Sequence, residues 1–431
     1  MSRKERVNNS ATIRASLRKR YARERRFRLF GISSIVVSFL FLLLLLTNIT
    51  LNGLPAFQQS HIKLDVTLDE RLLGVSVASP SDALYAAPYS RVIRQSLKMM
   101  FPGVKGRKQK RALKKLVSSS AAYQLRDQVV EEPHLIGTTQ SLWFLAKDDV
   151  DLFMKGEIDR TLPESERRLK DFQLVWIDQL VTEERLEKRF NTTFFTAGDS
   201  REPEQAGIRG AITGSLLTML VTIMLSFPIG VAAAIYLEEF APKENRWVDW
   251  IEININNLAA VPSIVFGLLG LAVFIGLFGV PRSVPLVGGL VLTLMTLPTI
   301  IIASRAAIKA VPPSIREAAL GLGASQVQTT FHHVVPAAMP GILTGTIIGM
   351  AQALGETAPL LMIGMVAFVA DIPQGVTDPS TVLPVQIYLW SDSPERAFTE
   401  RTSAAIMVLL GVLISINLIA VILRRKFEKK W

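Results

Sequence analysis

The sequence contains no cysteine and only four histidines among its 431 residues. Without cysteine the protein has neither disulfide bonds nor thiolate metal sites, although this absence does not identify a cellular compartment. The phosphate-binding motif G-x-x-x-x-G-K-S/T and the zinc motif H-E-x-x-H are also absent. The adjacent His332 and His333 would point to different sides of a helix, which favours structural or surface roles. We therefore expect this chain to bind no metal, no cofactor and no nucleotide through a P-loop.

Hydrophobic residues and positive charge are both present in excess. Hydrophobic residues make up 49% of the chain, and 48 basic residues against 37 acidic ones give a formal net charge of +11. This hydrophobic content favours a membrane protein. In such a protein a basic excess holds segments on the cytoplasmic side of the lipid, so we expect contact with membrane lipid and no nucleic-acid partner.

Six apolar segments are long enough to cross ~30 Å of hydrocarbon as helices. They comprise residues 29–49, 209–237, 253–279, 284–304, 341–370 and 403–423. The sequence therefore predicts an all-α polytopic membrane protein with six transmembrane helices. A cleaved signal peptide is the alternative for the first segment. Its apolar run exceeds a usual signal core and no A-x-A site follows, which favours a retained anchor.

The basic residues are distributed unevenly around these segments. Residues 1–28 contain eleven, whereas the short outer segments contain only four. Because basic residues remain on the cytoplasmic side, we predict that both termini are cytoplasmic. The inner loop "EEFAPKENRWVDWIE" is net acidic and contains Lys243, but acidic residues carry little weight in this rule. The predicted parts are a basic N-terminus 1–28, an anchor helix 29–49, an extracytoplasmic domain 50–208, a core of five membrane helices 209–423 and a basic tail 424–431.

Residues 50–208 form a long polar insertion between the first two spans. "HIKLDVTL" alternates apolar and polar residues, which is typical of a half-buried strand. "SDALYAAPYSRVIRQSLKMM" and "LPESERRLKDFQLVWIDQLVTEERLEKRF" have helical patterns and start signals. These patterns predict an inserted α+β domain that folds as its own unit. Its segment "VKGRKQKRALKK" contains seven basic residues and no acid. The segment is either a solvated helix face or a site that binds an anion or a partner.

A single carboxylate interrupts the fifth predicted span. Glu356, in "LGETAPLL", is the only ionisable residue within 341–370, and inserting a charge at the bilayer centre costs at least ~2.5 kcal/mol. At 3.6 residues per turn, Gln352 and Glu356 would share one side of the helix with a stripe of glycines that permits close helix packing. The stripe consists of Gly341, Gly345 and Gly349.

The helix is predicted to kink or break near Thr357 and Pro359, because proline removes a hydrogen-bond donor and clashes with the preceding turn. Two interpretations of Glu356 remain open. The carboxylate is a gate or pathway group, or it is a protonated structural group held by hydrogen bonds. An ionised carboxylate at this depth requires a cation.

The stretch "REAALGLGASQVQTTFHHVVP", residues 316–336, lies between two spans. Alanines would give a smooth helix surface, and Gly323 permits a sharp turn into a second short helix. We predict a compact helix-turn-helix that is suited to dock onto a soluble partner.

This stretch resembles the EAA loop of bacterial ABC-importer permeases. Residues that match its pattern are Glu317, Ala318, Ala319, Gly323 and Pro336, whereas the pattern's isoleucine and leucine are replaced by His333 and Val335. "GETAPLL" and "NINNLAAVPSIVFGLLGL", residues 254–271, resemble phosphate permeases of the PstA type. The resemblance covers residues 194–423.

The resemblance implies a type I ABC importer permease core with its coupling loop at 305–336, in a bacterial inner membrane. It implies ATPase coupling through Glu317, Ala318, Ala319 and Gly323, and a pathway or gate that includes Glu356, Gln352, Thr357 and Asn257. The implied partners are a PstC-like second permease, two PstB-like ATPases that use the ATP, and a PstS-like periplasmic phosphate-binding protein. By this resemblance the chain is a transporter subunit rather than an enzyme.

One departure concerns the anion path. Many phosphate permeases have an arginine four residues before this glutamate, where this chain has Gln352. A positive charge for the anion would therefore come from the second permease, or from Arg305 or Lys309 near the cytoplasmic mouth. Two other functions remain open: import of another oxyanion or small solute, and a membrane sensor linked to phosphate signalling. A membrane hydrolase is a weaker alternative, because no nucleophile, base and orienting group can be assembled from the sequence.

Overall fold

The computed structural model describes residues 3–242 and 245–427. Lys243, residues 1–2 of the basic N-terminus and residues 428–431 of the basic tail therefore lie outside the described residues. The chain groups into two units, Met1–Asn52 and Gly53–Trp431. The described residues of the first unit lie in one helix, α1 (Arg3–Gly53), whose apolar side chains from Phe27 to Leu46 are exposed along its surface.

The polar insertion contains a three-stranded antiparallel sheet. Its order is β2 (Thr139–Leu145), β1 (Gln58–Thr67) and β3 (Leu186–Phe190), with β1 in the centre. Alternate side chains of β1 are buried, and Leu64 and Val66 have no exposed surface. The predicted strand in "HIKLDVTL" is therefore confirmed, because its apolar alternation places one face against the core.

Eight helices accompany this sheet. They are α2 (Glu70–Leu73), α3 (Ser81–Ala86), α4 (Tyr89–Met100), α5 (Arg107–Lys114), α6 (Ser120–Glu131), α7 (Asp148–Met154), α8 (Asp171–Thr182) and α9 (Thr192–Thr196). The helices α4, α6 and α8 bury Val92, Leu125 and Ile177 in one apolar cluster with Phe144 of the sheet. The insertion thus has the predicted α+β character. Because Gly53–Trp431 groups as one unit, independent folding of residues 50–208 stays a prediction.

Two helical predictions in this region are wrong in part. The first predicted helix is interrupted before Tyr89, because Pro88 has no amide hydrogen to continue the turn. The second ends at Thr182, and its last residues form β3 instead. Pairing with the edge of β1 overrides the local helical pattern of "LEKRF".

The remaining helices form the apolar core. They are α10 (Arg209–Ile235), α11 (Arg246–Ala259), α12 (Ser263–Leu269), α13 (Pro285–Lys309), α14 (Pro313–Gly321), α15 (Gln326–Thr329), α16 (Val335–Gly355), α17 (Ala358–Met362), α18 (Leu383–Ser391) and α19 (Ala397–Phe427). Three π-helical segments extend α10, α12 and α15: Tyr236–Phe240, Gly270–Leu277 and Thr330–Val334.

Within the described residues, five helices are long and apolar enough to cross a membrane. A sixth span exists only if α11 and the helix Ser263–Leu277 count together, and these are bent by 105° at their junction. The predicted span 253–279 is therefore not one continuous helix, and its crossing of the membrane stays a prediction. The bend lies at residues 260–262, where Pro262 occupies the N-cap of α12 and prevents the α-helical hydrogen-bond ladder from continuing.

The fifth predicted span, 341–370, is also displaced. The structure has a continuous helix from Gln326 to Gly355, followed by the short α17 and an irregular stretch before α18. The predicted break near Thr357 and Pro359 is confirmed, but Glu356 lies at the end of the long helix rather than halfway along it. The helix continues through Pro336, which follows a π-helical turn, and through Pro340, which lies inside α16.

Candidate translocation and coupling site

The glycine stripe of α16 packs against α13. A Cβ atom built on Gly341 would lie 2.6 Å from the Cβ of Ala307, and one built on Gly345 would overlap the Cβ of Ala303. At Gly349 the nearest side-chain atom would be 3.6 Å away, which is an ordinary contact. The two helices therefore approach most closely where both carry small residues, as small-xxx-small packing requires.

The prediction that Gln352 and Glu356 belong to this packed face is wrong. Gln352 is exposed, whereas its neighbours Ala353 and Leu354 are buried. Glu356 is half-buried and has an extended backbone at the C-cap of α16. The helix ends before the glutamate can continue the stripe, and Gln352 is exposed although the helical period aligns it with Gly345.

Glu356 has no basic partner within the described chain. No Lys or Arg nitrogen of the described residues lies within 4.0 Å of its carboxylate. A carboxylate at a helix C-terminus is also unfavourably placed, because that end of the helix dipole is negative. Thr357, also half-buried, occupies the N-cap of α17 next to it. The described residues therefore supply no cation to Glu356.

The break after α16 is supported by α12. A Cβ atom on Gly267 would lie 2.7 Å from the Cα of Pro359, so α12 and α17 approach closely. Asn257, the remaining predicted pathway residue, is exposed on the last turn of α11 before the 105° bend. Both predicted pathway segments, near Asn257 and near Glu356, thus lie at interruptions of the helical backbone. Irregular backbone at membrane depth occurs where it is buried in protein or lines a cavity.

The predicted coupling segment turns at Gly323. The helix α14 begins after Pro312 and ends at Gly321, and Gly323 has φ = +87°. That left-handed conformation favours glycine, and Ser325 then caps the next helix through the amide of Gln328. The predicted turn at Gly323 is therefore confirmed by the backbone.

The helix after this turn differs from the prediction. It does not form a separate short element, because α15, the π-helical turn and α16 run continuously from Gln326 to Gly355. This continuous helix contains 30 residues, so its ends are roughly 45 Å apart, and Gly323 and Glu356 lie near its opposite ends.

The predicted coupling segment, residues 305–336, has apolar side chains exposed on its surface. Leu322 is 91% exposed, and three other large apolar residues around it are also exposed: Leu320, Val327 and Phe331. Glu317 and Ala318 are exposed as well, whereas Ala319 is buried. Of the two alanines that were predicted to form a smooth surface, only Ala318 is therefore exposed. Most of the exposed apolar surface of this segment belongs to the four larger residues.

Arg305 near the end of α13 is bound by two carboxylates. Its Nε donates to Glu238 Oε1 at 2.8 Å, and its Nη2 donates to Glu252 Oε1 at 2.5 Å. Arg305 is therefore paired with carboxylates of the extension of α10 and of α11, which disfavours it among the alternative sources of a cation for the anion path. Lys309 is exposed, with no carboxylate of the described residues within 4.0 Å, so it stays a candidate.

Arg316 connects the coupling segment to the membrane helices. Its Nη2 donates to Glu239 Oε1 at 2.7 Å, while its guanidinium also donates to the carbonyls of Val311 and Ile308 at 2.7 and 2.9 Å. The side-chain amide of Gln326 donates to the Glu239 carbonyl. These bonds hold α14 and α15 against the ends of α10 and α13.

The sequence reasoning did not find this cluster, although one signal was present. The loop "EEFAPKENRWVDWIE" is unexpectedly acidic for a cytoplasmic loop. In the folded chain its carboxylates Glu238 and Glu252 pair with Arg305 of α13, and Glu239 pairs with Arg316 of α14. The acidic residues thus have partners within the chain, which removes the conflict with the predicted orientation.

On the opposite side of the core, the polar insertion is joined to α19 by buried charges. Lys155 Nζ lies 2.6 Å from both Asp151 Oδ2 and Glu400 Oε1. Arg401 is fully buried and donates to the carbonyl of Ala206 at 2.6 Å. Because buried charges need partners, this cluster fixes α7 and α19 to each other.

A second group of charges adjoins this cluster. Burial, together with the nearby carboxylate of Asp149, raises the pKa of the Asp148 carboxyl to about 6. Lys147 opposes that shift, and its Nζ lies 3.7 Å from Asp148 Oδ1. Arg168 Nη1 lies 2.9 Å from Glu395 Oε2 and provides a further contact with the segment before α19.

Two family models match different parts of the chain. Residues 226–431 match the family model described as "Binding-protein-dependent transport system inner membrane component". Residues 14–164 match a model described only as a domain of unknown function. The first match covers the coupling segment and both backbone interruptions, and the second covers most of the polar insertion.

Characterised relatives decide the identity. The phosphate transport system permease protein PstA 1 of Mycobacterium tuberculosis is 34% identical over 225 residues, which are 52% of this chain and 72% of the relative. The chain belongs to the family of PstA-type transport permeases. The predicted resemblance is therefore confirmed. Similar relatives include the permease protein PstC of Haemophilus influenzae, 34% identical over 45% of this chain and 68% of that protein.

The similarity does not extend over the whole permease or its relatives. The probable ABC transporter permease protein YqgI of Bacillus subtilis is 34% identical over 168 residues. The aligned residues are 39% of this chain and 56% of YqgI. Among solved structures, the inward-facing MetNI methionine ABC transporter has 17% identity and a TM-score of 0.43. That alignment covers 52% of this permease and 96% of the solved chain.

Proposed function

We propose that this permease is the transmembrane subunit of an ATP-driven importer for inorganic phosphate. It pairs with a second permease, receives phosphate from a periplasmic binding protein, and is coupled to two ATPase subunits that use ATP. The observation that carries this proposal is the exposed apolar turn at Leu322, on a segment that leads without interruption into a membrane helix. The choice of phosphate rests on the similarity to phosphate permeases.

The turn is suited to mechanical coupling. Monomeric proteins rarely expose large contiguous apolar patches without a partner. Here Leu322 projects from a glycine turn that Arg316 and its hydrogen bonds fix to the membrane helices. Movement of a partner that is bound to Leu322 would therefore displace α14, α15 and α16 together.

The coupling role can be tested by replacing Leu322 with serine in the assembled transporter. We expect Leu322→Ser to lower co-purification of the ATPase and phosphate uptake, while the permease still inserts into the membrane. The matched control is Leu277→Ser, because Leu277 is 74% exposed but lies at the end of the helix after α12. Wild-type ATPase binding by Leu322→Ser, or equal losses in both variants, would contradict this role.

The gate in this proposal lies at Glu356. The carboxylate is half-buried at the break between α16 and α17 and has no cation among the described residues. A cation from the second permease is the simplest partner, since a buried unpaired charge costs several kcal/mol. We infer that the Glu356 carboxylate and this cation separate when the anion passes and pair again afterwards.

Uptake of labelled phosphate, sulfate and molybdate into vesicles tests substrate and gate together. We expect phosphate uptake to dominate, to fall strongly in Glu356→Gln, and to be partly retained in Glu356→Asp. The control Gln352→Glu/Glu356→Gln moves the carboxylate back one turn onto the exposed face and should not restore uptake. Preferential molybdate or sulfate uptake would reject the phosphate assignment. Normal phosphate uptake by Glu356→Gln would show that Glu356 is a neutral structural residue.

A further inference from the structure

The polar insertion contains an open cavity of about 360 Å³ that the transport function does not use. Helices α4 and α6 form its walls, and the end of α5 lies at its rim. Its floor is apolar and includes Ile93, Leu97, Val117 and Ala122. Pockets of this size with predominantly apolar linings are typical of sites for small organic molecules.

Basic side chains surround this apolar floor. Arg94, Lys114, Lys115 and Lys147 all line the cavity, against one carboxylate, that of Glu202. Lys114 and Lys115 belong to the basic segment "VKGRKQKRALKK", whose role the sequence left undecided. The fold thus brings the end of that segment to the edge of an apolar pocket.

The charges in the cavity do not cancel. Glu202 is paired with Lys147, which also lies 3.2 Å from Glu204. For Arg94, Lys114 and Lys115, no carboxylate of the described residues lies within 4.0 Å. Arg94 Nε donates to the carbonyl of Ser90 at 2.8 Å, which holds the guanidinium at the wall. Three unpaired cations therefore remain around the pocket.

The positive end of a helix adds to this field. The helix α6 begins at Ser120, and Ser118, Ser119 and Ala121 from its start line the cavity. The N-terminus of a helix carries a partial positive charge and favours anions. The Ser119 hydroxyl accepts a hydrogen bond from Gln205 at 3.0 Å, which fixes this residue at the wall.

We propose that this cavity binds a small amphipathic organic anion. Its anionic group, a phosphate monoester or a carboxylate, would lie between Lys114, Lys115 and Arg94. Its apolar body would cover Ile93 and Ala122. An inorganic ion satisfies only the cations and leaves the apolar floor in water, so the apolar body is what separates this ligand from free phosphate.

Phenyl phosphate is a suitable probe because it combines a dianion with an apolar ring. Binding is measured by calorimetry with the full chain in zwitterionic lipid nanodiscs. Inorganic phosphate supplies the charge alone, and benzyl alcohol supplies the ring alone. We expect phenyl phosphate to bind at least about tenfold more tightly than either, since both parts of the cavity then contribute.

Variants place the binding in this cavity. We expect Lys114→Gln/Lys115→Gln to weaken phenyl phosphate binding about tenfold, a change of ~1.4 kcal/mol. The matched control is Lys108→Gln/Lys110→Gln, which removes the same charge from exposed positions of α5 outside the cavity. Ala122→Phe fills the floor and should abolish binding without changing net charge. Circular dichroism verifies that each variant is folded.

The outcomes are decisive in both directions. Equal weakening in the two lysine pairs would show that only the general positive charge matters and would overturn the proposal. Binding of inorganic phosphate as tight as that of phenyl phosphate, or no binding of phenyl phosphate, would overturn it as well. None of these measurements requires transport, so the inference stands or fails separately from the proposed importer function.

Discussion

Replacing Gly345 with alanine tests whether close packing between α16 and α13 holds the core together. The added methyl group would overlap the Cβ of Ala303, and an ordinary carbon–carbon contact needs ~3.5–4.0 Å. The two helices must therefore separate by about 1 Å or more at this point. We expect Gly345→Ala to lower the thermal stability of the permease in detergent.

The magnitude follows from two opposing effects. Overpacking a well-packed core costs about 1–3 kcal/mol, whereas replacing glycine with alanine inside a helix gains about 1 kcal/mol. At Gly349 the nearest side-chain atom would be 3.6 Å from the new methyl group, so only the gain applies. The variants Gly345→Ala and Gly349→Ala should therefore differ in stability by about 1–3 kcal/mol in favour of the second.

The assay is the melting temperature of purified permease, followed by the fraction that remains monodisperse after heating. A difference of 1 kcal/mol corresponds to about 2–4 °C for a domain of this size. The double variant Gly345→Ala/Ala303→Gly exchanges the methyl group between the helices and should recover most of the loss. If Gly345→Ala melts at or above Gly349→Ala, or if the exchange gives no recovery, the packing argument is refuted.

Two predictions concern the charges that join the polar insertion to the core. Lys155→Met removes the ammonium group that contacts the buried carboxylates of Glu400 and Asp151 and should lower stability by ~3–5 kcal/mol. Melting temperatures should show almost no loss for Lys188→Met at an exposed site, and equal losses would contradict the prediction. Because the folded chain holds the Asp148 proton more tightly than the unfolded chain, stability should fall as pH rises from ~4 through about 6. Asp148→Asn should remove this dependence and raise the melting temperature at pH ~7.5 but not at pH ~4.5; a parallel pH profile would contradict it.

Features encoded over a few residues could be predicted from the sequence. The turn at Gly323 follows from a glycine between two short helical patterns, and its φ of +87° explains why glycine is needed. The strand β1 follows from strict alternation over eight residues. The glycine spacing at Gly341 and Gly345 predicted a close helix contact, because spacing alone places both on one side.

The position of Glu356 could not be predicted in the same way. The apolar run alone suggested a span of 341–370, so the glutamate was expected near the middle. In the structure α16 begins earlier and ends at Gly355, and α17 then packs against α12. Hydropathy measures how apolar a segment is, but where a helix ends depends on the elements that pack beside it.

The sequence by itself determined that the chain crosses a membrane several times, that a polar α+β segment is inserted, and that a glycine turn lies between two spans. Only the tertiary structure decided the partners of its charges. Glu239 and Arg316 are 77 positions apart, and Lys155 and Glu400 are 245 apart. Local propensity and hydropathy act over a few turns, whereas buried charges must find opposite charges wherever the folded chain brings them. For this reason the acidic loop between α10 and α11, the paired Arg305 and the basic cavity became interpretable only in the fold.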